Sequence, residues 1–220
     1  IEFKKYKDTK LEAFIKQEYK PGFRAEYDFH EVKVIIDGKK CVKHQATITL
    51  PYSNYIFVKY YDNQKFESFI DSLISFFKDI GGVPATLVFD NMRNVVRKFV
   101  YRGEKEYTED LIKLSNYYGF KIVTTNPRSG NEKGHVEVSG KIVRTELFTF
   151  NYKFYSLENF NEYVIKELIK LNELKLEKFN DEKFFLSNLP THSYELGRLE
   201  YARVNSESLI SLDTNFYSVP

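Results

Sequence analysis

Cysteine and long apolar runs are nearly absent from this sequence. Cys41 is the only cysteine, which excludes an intramolecular disulfide and a cysteine-based zinc site, so we expect it to be a small buried apolar residue. No apolar run approaches the roughly 18 residues needed to cross a bilayer, and the amino terminus lacks the charged-then-apolar pattern of a signal peptide. These absences predict a cytosolic protein.

A strong charge of either sign is also lacking. The net charge is +2 at pH 7, which is too small to indicate a nucleic-acid partner by itself. The distribution of charge is more informative, because the segment from Arg93 to Arg102 contains four cations and no acid. This segment either forms a solvated strand face or contacts phosphates, and its position directly after Asp90 favours phosphate contact.

The hydrophobic content of 42% in 220 residues suits one main domain with an appendage. Hydrophobic periodicity predicts three antiparallel strands followed by a helix, and then alternating strands and helices. The predicted strands cover residues 24–36, 41–50, 55–61, 86–89 and 120–123, and the predicted helices cover residues 64–80 and 108–118 and begin again at Lys133.

Both ends of the chain carry weaker patterns. Residues 1–19 have a loose helical pattern with lysines between the apolar residues, which we interpret as the tail of a missing upstream region. A long helix is predicted from Ser156, its N-cap, to Phe179. A loop-rich linker from Asp181 to Leu196 and a β-hairpin formed by residues 204–212 and 216–219 complete the chain.

The stretch 124–146, TTNPRSGNEKGHVEVSGKIVRTE, begins as a loop of turn-forming residues and continues as a helix. One face of this helix is a narrow apolar stripe made of Val136, Gly140, Val143 and Leu147. A second stripe consists of Lys133, Glu137, Lys141 and Arg144. Glu137 therefore projects from a basic face, where it either makes ordinary ion pairs along the helix or has a functional role.

Two further acids lie in unusual places. Asp90 directly follows the apolar run from Thr86 to Phe89, which a Gly-Gly-Val-Pro break precedes; carboxyl ends of such strands are where open α/β sheets place ligands. Asp28 lies within a strand pattern, where an acid is costly unless it is paired or metal-bound. Isolated acids on a strand, at a strand end and on a helix suit the binding of divalent cations through hard oxygen ligands.

A family resemblance rests on two strings, FFKDIGGVPATLVFDNMRNVV at 76–96 and LIKLSNYYGFKIVTTNPRSGNEKGHVE at 111–137. They resemble the catalytic core of the IstA-type insertion-sequence transposases, which belong to the DDE transposases and retroviral integrases. The resemblance covers about residues 24–147 and continues weakly to Pro220. The implied fold class is α/β (α+β), an RNase H-like core with a mixed five-stranded sheet. One departure is Phe29-His30, where an aromatic residue and a glycine are expected.

The resemblance implies that Asp28, Asp90 and Glu137 are catalytic and hold two Mg²⁺ ions, for which Mn²⁺ can substitute. The implied activity is metal-dependent cleavage of DNA 3′ ends followed by strand transfer. The alternatives are an RNase H-like nuclease without strand transfer and an inactive DNA-binding or assembly module. The implied partners are transposon-end and target DNA, further copies in a multimer and an AAA+ ATPase, in the bacterial cytosol.

The expected domains are a linker at residues 1–20, the catalytic core at 21–150, a helical extension at 151–185 and a truncated β domain after a linker at 186–220. The residues expected to contact DNA are Arg93, Arg97, Lys98, Arg102, Arg128, Lys133, Lys141 and Arg144. Asn91 orients a carboxylate, touches a phosphate or caps the next segment. His135 is either structural or a DNA contact, and His30 either packs or contacts substrate or the outer shell of the metal site.

Overall fold

The computed structural model describes residues 18–99, 105–125, 134–148, 153–192, 194–195, 202–212 and 215–219. Five strands form the main sheet, and a sixth, short strand pairs with the first of them. The strands are β1 Arg24–Ile36, β2 Lys39–Leu50, β3 Tyr55–Tyr61, β4 Thr86–Phe89, β5 Val96–Phe99, β6 Lys105–Tyr107, β7 Lys121–Thr124, β8 Lys153–Phe154, β9 Leu209–Leu212 and β10 Asn215–Ser218. The helices are α1 Phe66–Ile80, α2 Glu109–Tyr118, α3 Gly134–Phe148, α4 Leu157–Asn172 and α5 Leu176–Lys183.

The strand order of the main sheet is β3-β2-β1-β4-β7. The first three strands pair antiparallel, whereas β1 pairs parallel with β4 and β4 pairs parallel with β7. The neighbouring position of the first and fourth strands, implied by the resemblance, is therefore confirmed. It makes the strand that carries Asp28 adjacent to the strand that Asp90 follows.

Helices cover both faces of this sheet. The first face packs against the buried apolar side of α1, whose large side chains repeat every three or four residues, and against Leu111 and Leu114 of α2. The second face packs against Val143 of α3 and against Phe160 and Val164 of α4. Because β-strand side chains alternate, odd-numbered residues near the start of β1 face the α1 side and even-numbered residues face the α3 side.

Two elements differ from the sequence prediction. The segment after Asp90 forms a hairpin, β5–β6, which the periodicity did not predict because each strand has only three or four residues. The helix predicted from Ser156 to Phe179 is wrong as one element, since α4 ends at Asn172 and a 3₁₀ turn leads into α5. Ser156 does cap α4, because its side chain accepts from the Asn159 N–H.

The predicted linker from Asp181 begins inside α5 and then packs on the sheet domain. Ser187 pairs with Val83, and the buried Glu182 accepts a hydrogen bond from the Gly22 N–H at 3.0 Å. Gly22 has φ +66°, and a Cβ there would lie 2.6 Å from the Phe185 carbonyl oxygen, so the close approach requires glycine. The chain after α5 therefore packs on the main domain at Ser187, and it does so again at His192 and Tyr194, which both contact Tyr117 of α2.

Two asparagines of α4 bond to the backbone of the edge strand β3. Asn161 accepts from the Tyr60 N–H and donates to the Tyr60 carbonyl, at 2.9 and 3.0 Å. Asn172 makes the same pair of bonds with Ile56, at 3.0 and 2.7 Å. The side-chain amides thus satisfy backbone groups that an edge strand otherwise leaves to solvent. No helix in the described part of the chain is long and apolar enough to cross a membrane.

Candidate active site

The sheet face beneath α3 is polar where most sheet faces are apolar. Glu26, Gln45, Thr47 and Thr49 are fully buried there, and Asp28 is 6% exposed. The odd-numbered neighbours on β1 and the even-numbered ones on β2 lie in the apolar core on the other side. Burying so many polar groups opposes folding unless they are paired, so this face indicates a function other than packing.

Asp28 lies within β1, and Asp90 directly follows β4, the strand that pairs with β1. The parallel register pairs Arg24 with Thr86 and Glu26 with Val88, so each paired segment ends two residues before one of the two acids. Adjacent strands are about 4.8 Å apart. Asp28 is buried within β1, whereas Asp90 is exposed at the end of β4.

The carboxylate of Asp28 already has protein partners. One oxygen, Oδ1, accepts from the Phe29 N–H at 3.0 Å. The other, Oδ2, is in direct contact with Nε2 of His30, whose side chain is 37% exposed. The residue that departs from the family pattern, His30, therefore contacts the first acid.

Asp90 is supported by the end of the neighbouring strand β7. The Thr125 hydroxyl donates to Asp90 Oδ1 at 2.9 Å, and the Thr125 N–H donates to the Phe89 carbonyl at 3.0 Å. The Thr125 carbonyl in turn accepts from the Asn91 side chain at 3.2 Å and from the Lys105 ammonium at 2.8 Å. Asn91 thus fixes the loop that supports Asp90 rather than the carboxylate itself.

Glu137 lies in the first turn of α3 and is exposed. The preceding residue, Val136, is fully buried, and its N–H donates to Oε2 of Glu26 at 3.2 Å. The other oxygen of Glu26 is 3.0 Å from an Arg24 guanidinium nitrogen. This contact attaches the beginning of α3 to β1 on the face that carries Asp28.

His135 gives the same turn a second attachment. Its Nδ1 lies 2.9 Å from Asn54 Oδ1, and its ring packs edge-on against Tyr19 with centroids 5.0 Å apart. These contacts favour the structural role for His135 over DNA contact.

The predicted DNA-contacting cations fall into three groups. Arg93, Lys98 and Lys141 are exposed. Arg97 is exposed but lies 3.0 Å from the Glu109 carboxylate, and Arg144 is half-buried with Nη1 inside the protein. Arg102, Arg128 and Lys133 lie outside the described residues.

The donor set of the three acids suits a divalent cation, because Mg²⁺ and Mn²⁺ prefer carboxylate oxygens. Among the described residues, no three His, Cys, Asp or Glu side chains form a group that could hold a metal ion as they stand. Asp90 and Glu137 are both exposed to solvent. The three acids thus offer the same kind of carboxylate ligand from contacting elements, without forming a closed ligand cluster among the described residues.

Sequence reasoning missed Thr125, Glu26 and Lys105. Thr125 belongs to the loop string that carried the resemblance, but nothing local links it to Asp90. Glu26 had a signal, since it shares the strand pattern and the face of Asp28 at a spacing of two.

The chain has relatives of known kind among bacterial proteins. No protein-family profile matches the chain. The chain is 26% identical over 215 residues to the transposase for insertion sequence element IS21 of Pseudomonas aeruginosa, a match that covers 94% of the chain and 55% of the relative. It is 28% identical over 235 residues to a putative transposase for insertion sequence IS408 of Burkholderia multivorans, covering 98% of the chain and 45% of that relative. The chain thus spans about half the length of these relatives.

Solved structures share the fold. The HTLV-2 integrase catalytic core domain in complex with magnesium, in its dimeric form, matches 70% of the chain and 88% of its own length with a TM-score of 0.50 at 16% identity. A chain of the simian T-cell lymphotropic virus intasome matches 83% of the chain and 59% of its own length with a TM-score of 0.55 at 15% identity. The resemblance is confirmed: the chain is homologous to insertion-sequence transposases of the IS21 kind and has the RNase H-like fold of an integrase catalytic core.

Proposed function

We propose that the chain is the catalytic core of a DDE transposase, which cleaves DNA 3′ ends and joins them to a target with Asp28, Asp90 and Glu137 as its catalytic acids. The observation that carries the proposal is that the three acids lie on, or directly after, elements that contact one another. Asp28 and Asp90 each lie two residues beyond the paired segment of adjacent parallel strands, and the Glu26 to Val136 bond attaches the first turn of α3, which carries Glu137, to β1. The homology to transposases supports the same activity.

Two bound Mg²⁺ ions would polarise the phosphodiester and acidify the attacking hydroxyl group. Asp28, fixed within β1, would contribute to both ion sites, while Asp90 and Glu137 would each complete one. The chain then needs no nucleophilic side chain, since water or a DNA 3′-hydroxyl is the attacking group. Its task is to hold three carboxylates at the mouth of a polar face that DNA can reach.

The test is cleavage of duplexes that copy the ends of the DNA element encoding the chain, with Mg²⁺ or Mn²⁺. We expect Asp28→Asn, Asp90→Asn and Glu137→Gln each to reduce cleavage at least about 100-fold, because each removes a ligand charge from the ion sites. Glu146→Gln is the matched control, since Glu146 is exposed on the same helix and outside the acid group. Near wild-type cleavage by a folded triad variant would contradict the role of that acid.

Joining distinguishes the proposal from a nuclease without strand transfer. A labelled duplex with a free 3′-hydroxyl is incubated with supercoiled plasmid, and covalent insertion is measured. Insertion that the triad substitutions abolish supports a transposase. Cleavage without any insertion would instead support the nuclease. The absence of both cleavage and insertion would support the inactive module.

The proposed partners are DNA, further copies of the chain and an AAA+ ATPase that helps to select the target. The first two follow from the homology to transposases, and the ATPase follows from the family resemblance alone. We expect a multimer on paired ends, measured by size-exclusion chromatography with light scattering with and without end DNA. A monomer that performs paired joining would contradict this assembly.

A further inference from the structure

Glu26 is a fully buried acid that the proposed chemistry does not use. Its side chain has 0% exposure, although it lies only two residues before Asp28 on the same face of β1. Removing a carboxylate from water opposes folding strongly unless its oxygens are paired. Here both oxygens are engaged, one by Arg24 at 3.0 Å and one by the Val136 N–H at 3.2 Å. Glu26 is therefore not disposed to be a metal ligand itself.

The position of the bond between Glu26 and the Val136 N–H is informative. The acceptor is two residues from Asp28, and the donor is one residue before Glu137. Val136 is the third residue of α3, so its N–H is one of the four that a helix cannot satisfy internally. A negative carboxylate at this end is also favoured by the helix dipole. One buried contact thus links the strand of the first acid to the helix of the third.

We propose that Glu26 is a positioning residue that sets the place of Glu137 relative to Asp28. The inference rests on the proposed function, because it assigns Glu26 a task only if those two acids hold metal ions together. Sliding or tilting of α3 over the polar face changes the separation of the two acids. The Glu26 bond opposes this motion at the turn where Glu137 lies.

A purely structural buried carboxylate is available for comparison. Glu182 is also 0% exposed and also accepts a backbone N–H, that of Gly22 at 3.0 Å. Its contact, Gly22, lies just before β1 and six residues before Asp28 in sequence. The Glu182 contact is therefore away from all three proposed catalytic acids. Replacing it should reduce the melting temperature without altering the metal site.

The experiment measures Mn²⁺ binding to the 220-residue chain by electron paramagnetic resonance, at a temperature where every variant is folded. We expect Glu26→Leu to weaken Mn²⁺ binding about tenfold and Glu26→Gln, which keeps an acceptor but loses the charge, about threefold. Glu182→Leu should change the dissociation constant less than twofold. Amide hydrogen exchange of residues 134–140 should accelerate in Glu26→Leu and not in Glu182→Leu.

The outcomes separate the two proposals. If Asp28→Asn abolishes Mn²⁺ binding but Glu26→Leu leaves it within twofold of wild type, the positioning role is overturned and the metal site stands. If Glu26→Leu does not fold, Glu26→Gln decides, and unchanged binding there overturns the role. If wild type binds no Mn²⁺, or Asp28→Asn binds it normally, the proposed function fails and this inference fails with it.

Discussion

Thr125 offers a sharp test of how Asp90 is held. Thr125→Val removes the hydroxyl that donates to Asp90 Oδ1 at 2.9 Å and replaces it with a methyl group of nearly equal volume. The backbone bonds of Thr125 to Phe89, Asn91 and Lys105 do not involve the side chain and should persist. The substitution therefore perturbs one bond to one acid.

The magnitude follows from that bond. A hydrogen bond to a charged group contributes about 1.5–3 kcal/mol when both groups are buried. Thr125 is 6% exposed but Asp90 is exposed, so water replaces part of the lost interaction and we take about 1.4 kcal/mol, which is about a tenfold effect. The melting temperature should change by no more than about 2 °C, because valine leaves no cavity and no large strain.

The assay is the DNA-end cleavage rate as a function of Mg²⁺ concentration. We expect Thr125→Val to need about tenfold more Mg²⁺ for half-maximal cleavage, and Thr125→Ser, which retains a hydroxyl, to stay within threefold of wild type. A folded Thr125→Val protein with the wild-type Mg²⁺ requirement would show that the hydroxyl does not position Asp90. Equal losses in both variants would point to packing instead.

Two further predictions concern the surface hairpin and a buried acid. Replacing Lys98 by Ala should reduce the slope of log affinity for DNA against log salt by about one. Replacing Arg97 should reduce the slope less, because Arg97 already pairs with Glu109. Unchanged slopes in filter binding would show that the hairpin is an ordinary solvated face. Burial raises the pKa of Glu182, so its folded form is most stable below the usual glutamate range and loses stability as pH rises through the raised value. The melting temperature of Glu182→Gln relative to that of wild type should therefore rise from pH 5 to pH 8, and the opposite trend would refute the sign.

The strands and helices that form the core could be predicted because each carries its own periodicity. The limits of β1 and β3 match the prediction, and α1 begins two residues after the predicted start and ends as predicted. Such patterns are local, since alternate burial in a strand and burial every three or four residues in a helix depend on neighbours in sequence. The order of the strands came from the family resemblance and not from periodicity.

What could not be predicted depends on contacts between distant segments. The bond from Thr125 to Asp90 spans 35 residues and that from Val136 to Glu26 spans 110, and no local pattern encodes either. The polar face beneath α3 looks in sequence like an ordinary solvated strand face, because only the packing of α3 makes it buried. The break at Asn172 was missed for a similar reason, as the residue is held by the backbone of Ile56.

The two asparagines of α4 also determine how copies of this chain can meet. Their amides imitate an additional β-strand at Ile56 and Tyr60, so a strand from another molecule cannot dock at those backbone groups. Assembly on this side must then proceed through side chains of the helix, where Ile165 and Ile169 are 56% and 66% exposed. Because the backbone groups of this sheet edge are already satisfied, neighbouring copies of the chain resist edge-to-edge strand pairing there even at high local concentration.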